Sequence, residues 1–266
     1  MNLSPTRQRE RLRRVLAGDT CLSPAAVYDP LSARIAEESR YELGMLAGSE
    51  ASNAILVAPD LVLITATELA QLTRRILRAC SLSLIVDGDH GYGNALNVMR
   101  TVQELEHAGA SCVTIEDLAL PRRFGLPGKS DALVSIEEMT AKLRAALAAR
   151  TDPALVITAR IAALKVEGTA GAAARARAYA AAGADALFIT RLTRLDEIDA
   201  IHAAADLPII VGRAPDTLQR EALRERGARV LLQGHLPLFA AVHALRKSYE
   251  DALAEDAGAH QRSNNS

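Results

Sequence analysis

Carboxylates, an arginine and two histidines stand where short apolar runs of this chain end, and their types suggest chemistry on a small anion. The runs stop at Asp29, at Gly48-Ser49, at Asp87-Gly88-Asp89-His90, at Glu116-Asp117, at Arg160 and at Gly234-His235, with Thr190, Arg191 and Arg213 nearby. Oxygen-only donors such as Asp29, Asp87, Asp89 and Glu116 suit a hard cation like Mg²⁺, which prefers carboxylates and keeps several waters. Asp87 and Asp89, two apart, are expected to project to one side of a strand end. One carboxylate can then bind the ion while the others hold its waters. The bland alternative is that each Asp caps a helix or faces solvent. The planar fork of Arg160 suits a substrate carboxylate, the alternative being an ion pair that neutralises the acids. His235 is placed to hydrogen-bond an anion, or to cap a helix.

Other chemistries fit poorly. Gly91-Tyr92-Gly93-Asn94 has neither dinucleotide-loop nor P-loop spacing. No Ser-His-Asp order or G-x-S-x-G elbow occurs, and Cys112 lies in an apolar run without an activating neighbour, so covalent catalysis is not indicated.

The elements that must carry these residues follow a βαβα rhythm, which argues for a parallel sheet covered by helices. Strands are expected at 25–28, 44–47, 84–86, 112–115, 155–159, 186–189, 208–211 and 229–232. The clearer helices are expected at 95–107, 135–149, 172–182, 195–204, 217–226 and 236–254. Units of ~33 residues match a single-domain (β/α)8 TIM barrel, whose site lies at the C-terminal strand ends. Asn94 and Ser135, the latter with Glu138 three residues on, mark helix starts, and the glycines of Ala-Gly-Ala 108–110 and 182–184 mark helix ends. The basic, Gly/Pro-containing stretch 117–134 is expected to be a lid over the site. Residues 170–182 are low-complexity alanine helix. The barrel domain, with its N-terminal helix, is expected to fill 1–254, and the polar tail 255–266 to fray.

The 266 residues carry 31 Lys+Arg against 32 Asp+Glu, so nothing marks a nucleic-acid partner or an acidic membrane. Aromatics are 3% and Trp is absent, which argues against base-stacking platforms. Cys21, Cys80 and Cys112 are widely spaced and are expected to be buried free thiols in a reducing compartment. The Arg-rich start lacks an apolar signal core and no run of 18 apolar residues follows, so a cytoplasmic protein without a membrane partner is expected.

Taken in order, Tyr28-Asp29-Pro30-Leu31-Ser32-Ala33-Arg34, Gly48-Ser49-Glu50-Ala51-Ser52, Asp87-Gly88-Asp89-His90-Gly91-Tyr92-Gly93-Asn94, Thr114-Ile115-Glu116-Asp117, Ala159-Arg160 and Gln233-Gly234-His235 carry a family likeness. The chain resembles the isocitrate lyase/phosphoenolpyruvate mutase superfamily, and within it the bacterial Mg²⁺-dependent oxaloacetate decarboxylases, over 23–244. The resemblance implies that Asp87 ligates Mg²⁺, with Mn²⁺ a possible substitute, and that Asp29, Asp89 and Glu116 support the ion through water. It implies that Ser49, Arg160 and His235 contact a small 2-oxo dicarboxylate, with Asp87, Arg160 and His235 carrying the decarboxylation of oxaloacetate to pyruvate and CO₂. It also implies a homo-oligomer, a dimer or tetramer.

Departures from the family pattern are local. Residues 121–129 lack the Lys-Cys-Gly-His stretch of the superfamily's lyases, which disfavours isocitrate-type cleavage. Ile161-Ala162 and Gly212-Arg213 stand where relatives carry hydrogen-bonding residues, and the C-terminal extension is short. The alternatives are another 2-oxo acid or phosphonate lyase, hydrolase or mutase, and a non-catalytic metal-dependent dicarboxylate-binding paralogue.

Overall fold

Alternation along the strands sorts side chains into two apolar layers. Leu43, Met45, Ile85, Cys112, Val156, Ala186, Phe188, Ile210 and Val230 cluster with Leu12 and Leu16 of the first helix. Leu46, Leu84, Val86, Val113, Ile115, Ile157, Ala159 and Ile161 belong instead to the larger cluster made with the covering helices. The period of two is the one a pleated strand imposes. The computed structural model describes residues 3–122 and 132–263. It divides into two compact units, Met1–Gly234 and His235–Ser266.

The first unit opens with α1 (Pro5–Ala17), started by Ser4, whose side chain accepts from the Arg7 amide. Its eight strands form one parallel sheet in sequence order: β1 (Ala25–Ala26), β2 (Leu43–Leu46), β3 (Ser83–Asp87), β4 (Cys112–Glu116), β5 (Val156–Ile161), β6 (Ala186–Ile189), β7 (Ile209–Val211) and β8 (Ala228–Leu231). The sheet's two edges meet just upstream of β1, where Leu22 N donates to Arg229 O and Leu231 N to Leu22 O, each at 2.9 Å. Between strands run α2 (Pro30–Glu38), α3 (Gly48–Leu56), α4 (Ala66–Ala79), α5 (Ala95–Ala108), α6 (Ile136–Ala149), α7 (Ala163–Val166), α8 (Gly168–Ala181), α9 (Leu195–Ala205) and α10 (Arg220–Arg224). Asn94 and Ser135 start α5 and α6 as expected, and Gly109 ends α5 in the left-handed conformation.

The second unit is α11 (Leu236–Ser263). The tail from 255, expected to fray, is helical through Ser263: Ala257 and Ala259 have high helix propensity and no proline interrupts the segment. All three cysteines are free and buried, as expected. Among the described residues no helix is long and apolar enough to cross a membrane. Most of the expected lid, 123–131, lies outside the described residues. Its neck is described: Ala119 N donates to Ala132 O and Val134 N to Asp117 O, pairing the two ends of the connection.

Candidate active site

The strand registers stack polar side chains above the apolar inner layer. On β3 the inward column is Ser83, Ile85, Asp87; on β4 it is Cys112, Thr114, Glu116; on β5 it is Val156, Thr158, Arg160. Pairing sets Asp87 beside Thr114 and Thr158, and one rung higher Glu116 beside Arg160 and Phe188. A guanidinium and two carboxylates therefore crown the C-terminal end, buried on an apolar floor. Asp87 Oδ2 accepts from Arg160 Nη1 at 2.6 Å, and Asp87 Oδ1 from Thr114 Oγ1 at 3.1 Å. Arg160 Nε lies 3.3 Å from Glu116 Oε2, and its guanidinium covers the Phe188 ring at 5.3 Å. The ion pair weighed above as the bland reading of Arg160 is thus what the structure shows.

Asp89 reaches the cluster differently from the expected strand alternation. β3 ends at Asp87, and Asp89 sits past it with φ +47°, so a turn aims its side chain. Gly88 makes that turn possible, because a Cβ there would stand 2.8 Å from Thr114 O. Backbone bonds from Gly88 N to Thr114 O and from Glu116 N to Asp89 O fasten the turn to β4. Tyr92 OH donates to Asp89 Oδ2 at 3.1 Å, and a Cβ at Gly48 would come within 2.9 Å of Asp89 Oδ1, so the start of α3 abuts that carboxylate.

Burial and mutual repulsion leave this cluster overcharged. Burial first, then the neighbouring charges of Asp87, Glu116 and Asp60, push the Asp89 carboxyl up to about 8. Glu116 rises to about 7 through burial, with Arg160 opposing and Asp87 adding to the shift. Burial works against the charged Arg160, yet Asp87 and Glu116 outweigh it and hold the guanidinium protonated. Glu116 Oε2 is buried without a hydrogen bond. A buried carboxylate oxygen that meets Arg160 as an ion pair but accepts no hydrogen bond, amid excess negative charge, fits an added cation. Among the described residues no three acidic, Cys or His side chains close into a ligand cage.

The other expected residues fall elsewhere. Asp29 caps α2: its Oδ1 accepts from Ser32 N at 2.6 Å, and Ser32 Oγ accepts from Asp29 N at 3.1 Å. The capping alternative holds for that oxygen. Ser49 lies half-buried in the first turn of α3. His235 opens the second unit, one residue before α11, where its carbonyl accepts from Phe239 N at 3.4 Å. Asp60, in the loop after α3, was not foreseen: its charge acts on Asp89, Glu116 and Tyr92 although the residue is exposed. Sequence offered only a weak signal, an acid after Ala58-Pro59 in a βα connection.

Comparison with known proteins gives the family. A family model described as phosphoenolpyruvate phosphomutase matches residues 12–253. A protein of Bradyrhizobium sp. (strain BTAi1) named oxaloacetate decarboxylase is 51% identical over 95% of this chain and 86% of its own length. Its namesake from Rhodopseudomonas palustris (strain BisB18) is 49% identical over 93% and 85%. Among solved structures, a phosphonopyruvate hydrolase complex with oxalate and Mg²⁺ superposes with TM-score 0.82 at 30% identity, covering 95% of this chain and 88% of that one. An oxaloacetate acetylhydrolase bound to 3,3-difluorooxalacetate superposes with TM-score 0.82 at 28% identity, covering 92% and 86%. With the family match spanning nearly the whole sheet and its helices, the chain belongs to the phosphoenolpyruvate phosphomutase family.

Proposed function

We propose that the protein decarboxylates oxaloacetate to pyruvate and CO₂ at the Asp87–Glu116–Arg160 crown, with Mg²⁺ as cofactor and Mn²⁺ as a substitute. The observation that carries this reading is the overcharged, buried carboxylate cluster beside a single held guanidinium; relatives named oxaloacetate decarboxylase at about half identity support the substrate. Asp87 would hold the ion directly, with Asp89, Glu116 and Asp29 acting through its waters. When bound, Mg²⁺ would supply Lewis-acid stabilisation of the charge that develops on the substrate's 2-oxo oxygen.

The chain's own residues do the rest. Arg160, kept charged and backed by the Phe188 face, presents a planar fork that can orient a substrate carboxylate. Breaking the C3–C4 bond sends its electron pair toward the C2 oxygen as CO₂ leaves, and C3 later takes a proton. The apolar floor of Ile85, Cys112, Val156 and Phe188 lowers the local dielectric, which strengthens electrostatic stabilisation of that charge. No nucleophile is needed: burial pushes the Cys112 thiol up to about 12. For Ser49 and His235 as substrate contacts the support is the family resemblance.

The same reading takes the curled sheet as a (β/α)8 barrel joined at Leu22, in one catalytic domain ending near 254, in a cytoplasmic homo-oligomer. A dimer or tetramer is supported by the exposed apolar side chains that recur along α11, Leu236, Phe239, Leu245, Tyr249 and Leu253. The test of function is pyruvate release from oxaloacetate, which should need a divalent ion and collapse in Asp87→Ala. Turnover undiminished in chelator would overturn it. Faster turnover of phosphonopyruvate or another 2-oxo acid in a substrate panel would reassign the reaction. Oxalate binding without turnover of any panel member would make the protein a dicarboxylate binder.

A further inference from the structure

Beside the crown lies a second buried polar cluster that the proposed chemistry does not use. Asp117, the residue after Glu116, is fully buried and spans two strand ends. Its backbone N donates to Arg160 O at 3.2 Å, which carries the β4–β5 ladder one rung past Glu116. Its Oδ1 accepts from Ala162 N at 2.9 Å, where a backbone carbonyl would stand if β4 continued. Asp117 therefore grips β5 at Arg160's own carbonyl and again at Ala162, on either side of Ile161. The carboxylate is gripped in turn: Tyr179 OH donates to Oδ2 at 3.0 Å, and Arg175 Nη1 lies 3.4 Å from the same oxygen.

Arg175 also donates to Val134 O at 3.0 Å and to Tyr179 OH at 2.9 Å, and forms a two-pronged pair with Glu167 at 2.8 Å for each prong. On α8 the buried residues are Ala172, Arg175, Ala176 and Tyr179, so the inward face of an alanine helix carries one arginine and one tyrosine at i, i+4, both aimed at one acid. A buried acid with this many donors is expensive to maintain unless the network is complete. Its bonds run to the residue after Glu116, to the backbone of Arg160 and Ala162, and to Val134 at the far end of the 117–134 connection.

We infer that Asp117, Arg175 and Tyr179 are positioning residues that set Arg160 and Glu116 against Asp87, acting through the ends of β4 and β5 without touching substrate. The 2.6 Å contact between Arg160 and Asp87 tolerates little displacement, and groups one shell removed from a site change activity by about 10–100-fold.

The experiment uses the full chain with Tyr179→Phe, Arg175→Lys and Arg175→Met, and Asp152→Asn as a control that loosens the opposite, N-terminal end of the sheet. One readout is solvent exchange of the Arg160 guanidinium protons by ¹⁵N NMR, assigned with Arg160→Lys. It requires no substrate. The Tyr179 and Arg175 variants should lose protection at Arg160 by about tenfold or more, while the control lowers Tm and leaves it intact. The kinetic readout rests on the decarboxylase reading: kcat on oxaloacetate should fall by about 10–100-fold in Arg175→Met, with a smaller fall in Arg175→Lys, and not in the control. Unchanged Arg160 exchange in both Tyr179→Phe and Arg175→Met would overturn the inference, as would a loss of exchange protection and kcat in the control that matches theirs. A wild type inert toward oxaloacetate would instead remove the decarboxylase reading, and the exchange measurement would still decide the inference.

Discussion

The two ends of the sheet bury the same residue types to opposite effect. At the N-terminal end Arg9 reaches Asp152 at 2.7 Å and donates to Ala110 O and Glu106 O, while Arg13 and Arg150 meet Asp185 at 3.1 and 2.6 Å. Glu106 accepts from the Thr151 and Asp152 amides. There each acid has a base or amides to satisfy it, and Asp152, despite some burial, is held below the usual carboxylate range by Arg9, Ala154 and Thr6. At the C-terminal end Asp87, Asp89 and Glu116 share Arg160, and two of the three are pushed well above that range. Charge is balanced where the fold needs only to hold, and left in excess at the rim proposed to take up a cation and an anionic substrate.

The strongest way to break this contrast is Asp87→Asn. Activity on oxaloacetate should drop by about 10²–10³-fold, while Tm in chelator should change little, because loss of the Arg160 pair is offset by relief of the repulsion with Asp89 and Glu116. A variant that lost stability and kept activity would put Asp87 in the structural class. Arg160→Gln comes next, with kcat/KM lower by about 10–100-fold, the worth of a charge-assisted fork. Arg160→Lys should restore only part of that loss, since an ammonium cannot make the planar contact.

At the other end, Asp152→Asn should weaken folding by about 1–3 kcal/mol in denaturant titration, by leaving Arg9 and nearby amides short of an acceptor. Its kcat should match the wild type. Smallest per pH unit is the pH effect, and its sign differs between the ends. The raised pair at the crown keeps protons in the folded state that the unfolded chain has already released between the ordinary carboxylate range and about 7 to 8. The crown's contribution therefore falls as pH rises through that window. Asp152 has the opposite sign: its stabilisation is present above the unfolded pKa and is lost as pH drops through the lowered folded one. Subtracting an Asp89→Asn melting series from the wild-type series in chelator, pH 5 to 8, should isolate a difference below about 1.4 kcal/mol per pH unit. Saturating Mg²⁺ should flatten it. A difference that grew with rising pH would contradict the assigned direction.

Much of this was legible because strands announce where they stop. Apolar runs ending in Asp87, Glu116 and Arg160 placed those residues on one rim, and each observed strand overlaps its expected range, β6 without any change of boundary. Asp29 had an equally good strand-end position, but a serine three residues on gave its carboxylate a helix to cap. Asp89 was placed correctly for the wrong reason, since a positive φ and not alternation turns it inward. What stayed hidden depends on contacts distant in sequence. Asp60 is known from the charge it exerts across the rim, and Arg175 and Tyr179 sit inside a stretch whose alanines read as low complexity. Pattern-reading registers periodic apolar faces, and α8 buries a polar one.

The joint at Leu22 bears on how the chain folds. β1 is only two residues long, and the edges meet through two backbone bonds, with Ser23 Oγ reaching Leu231 O across 208 positions of sequence. Every other rung of the sheet joins consecutive strands. Neighbouring βα units can therefore assemble step by step at modest chain entropy, whereas this contact must wait until both ends of the sheet exist. It is the rung whose closure spans the longest stretch of chain, so it carries the largest loop-closure entropy in the sheet.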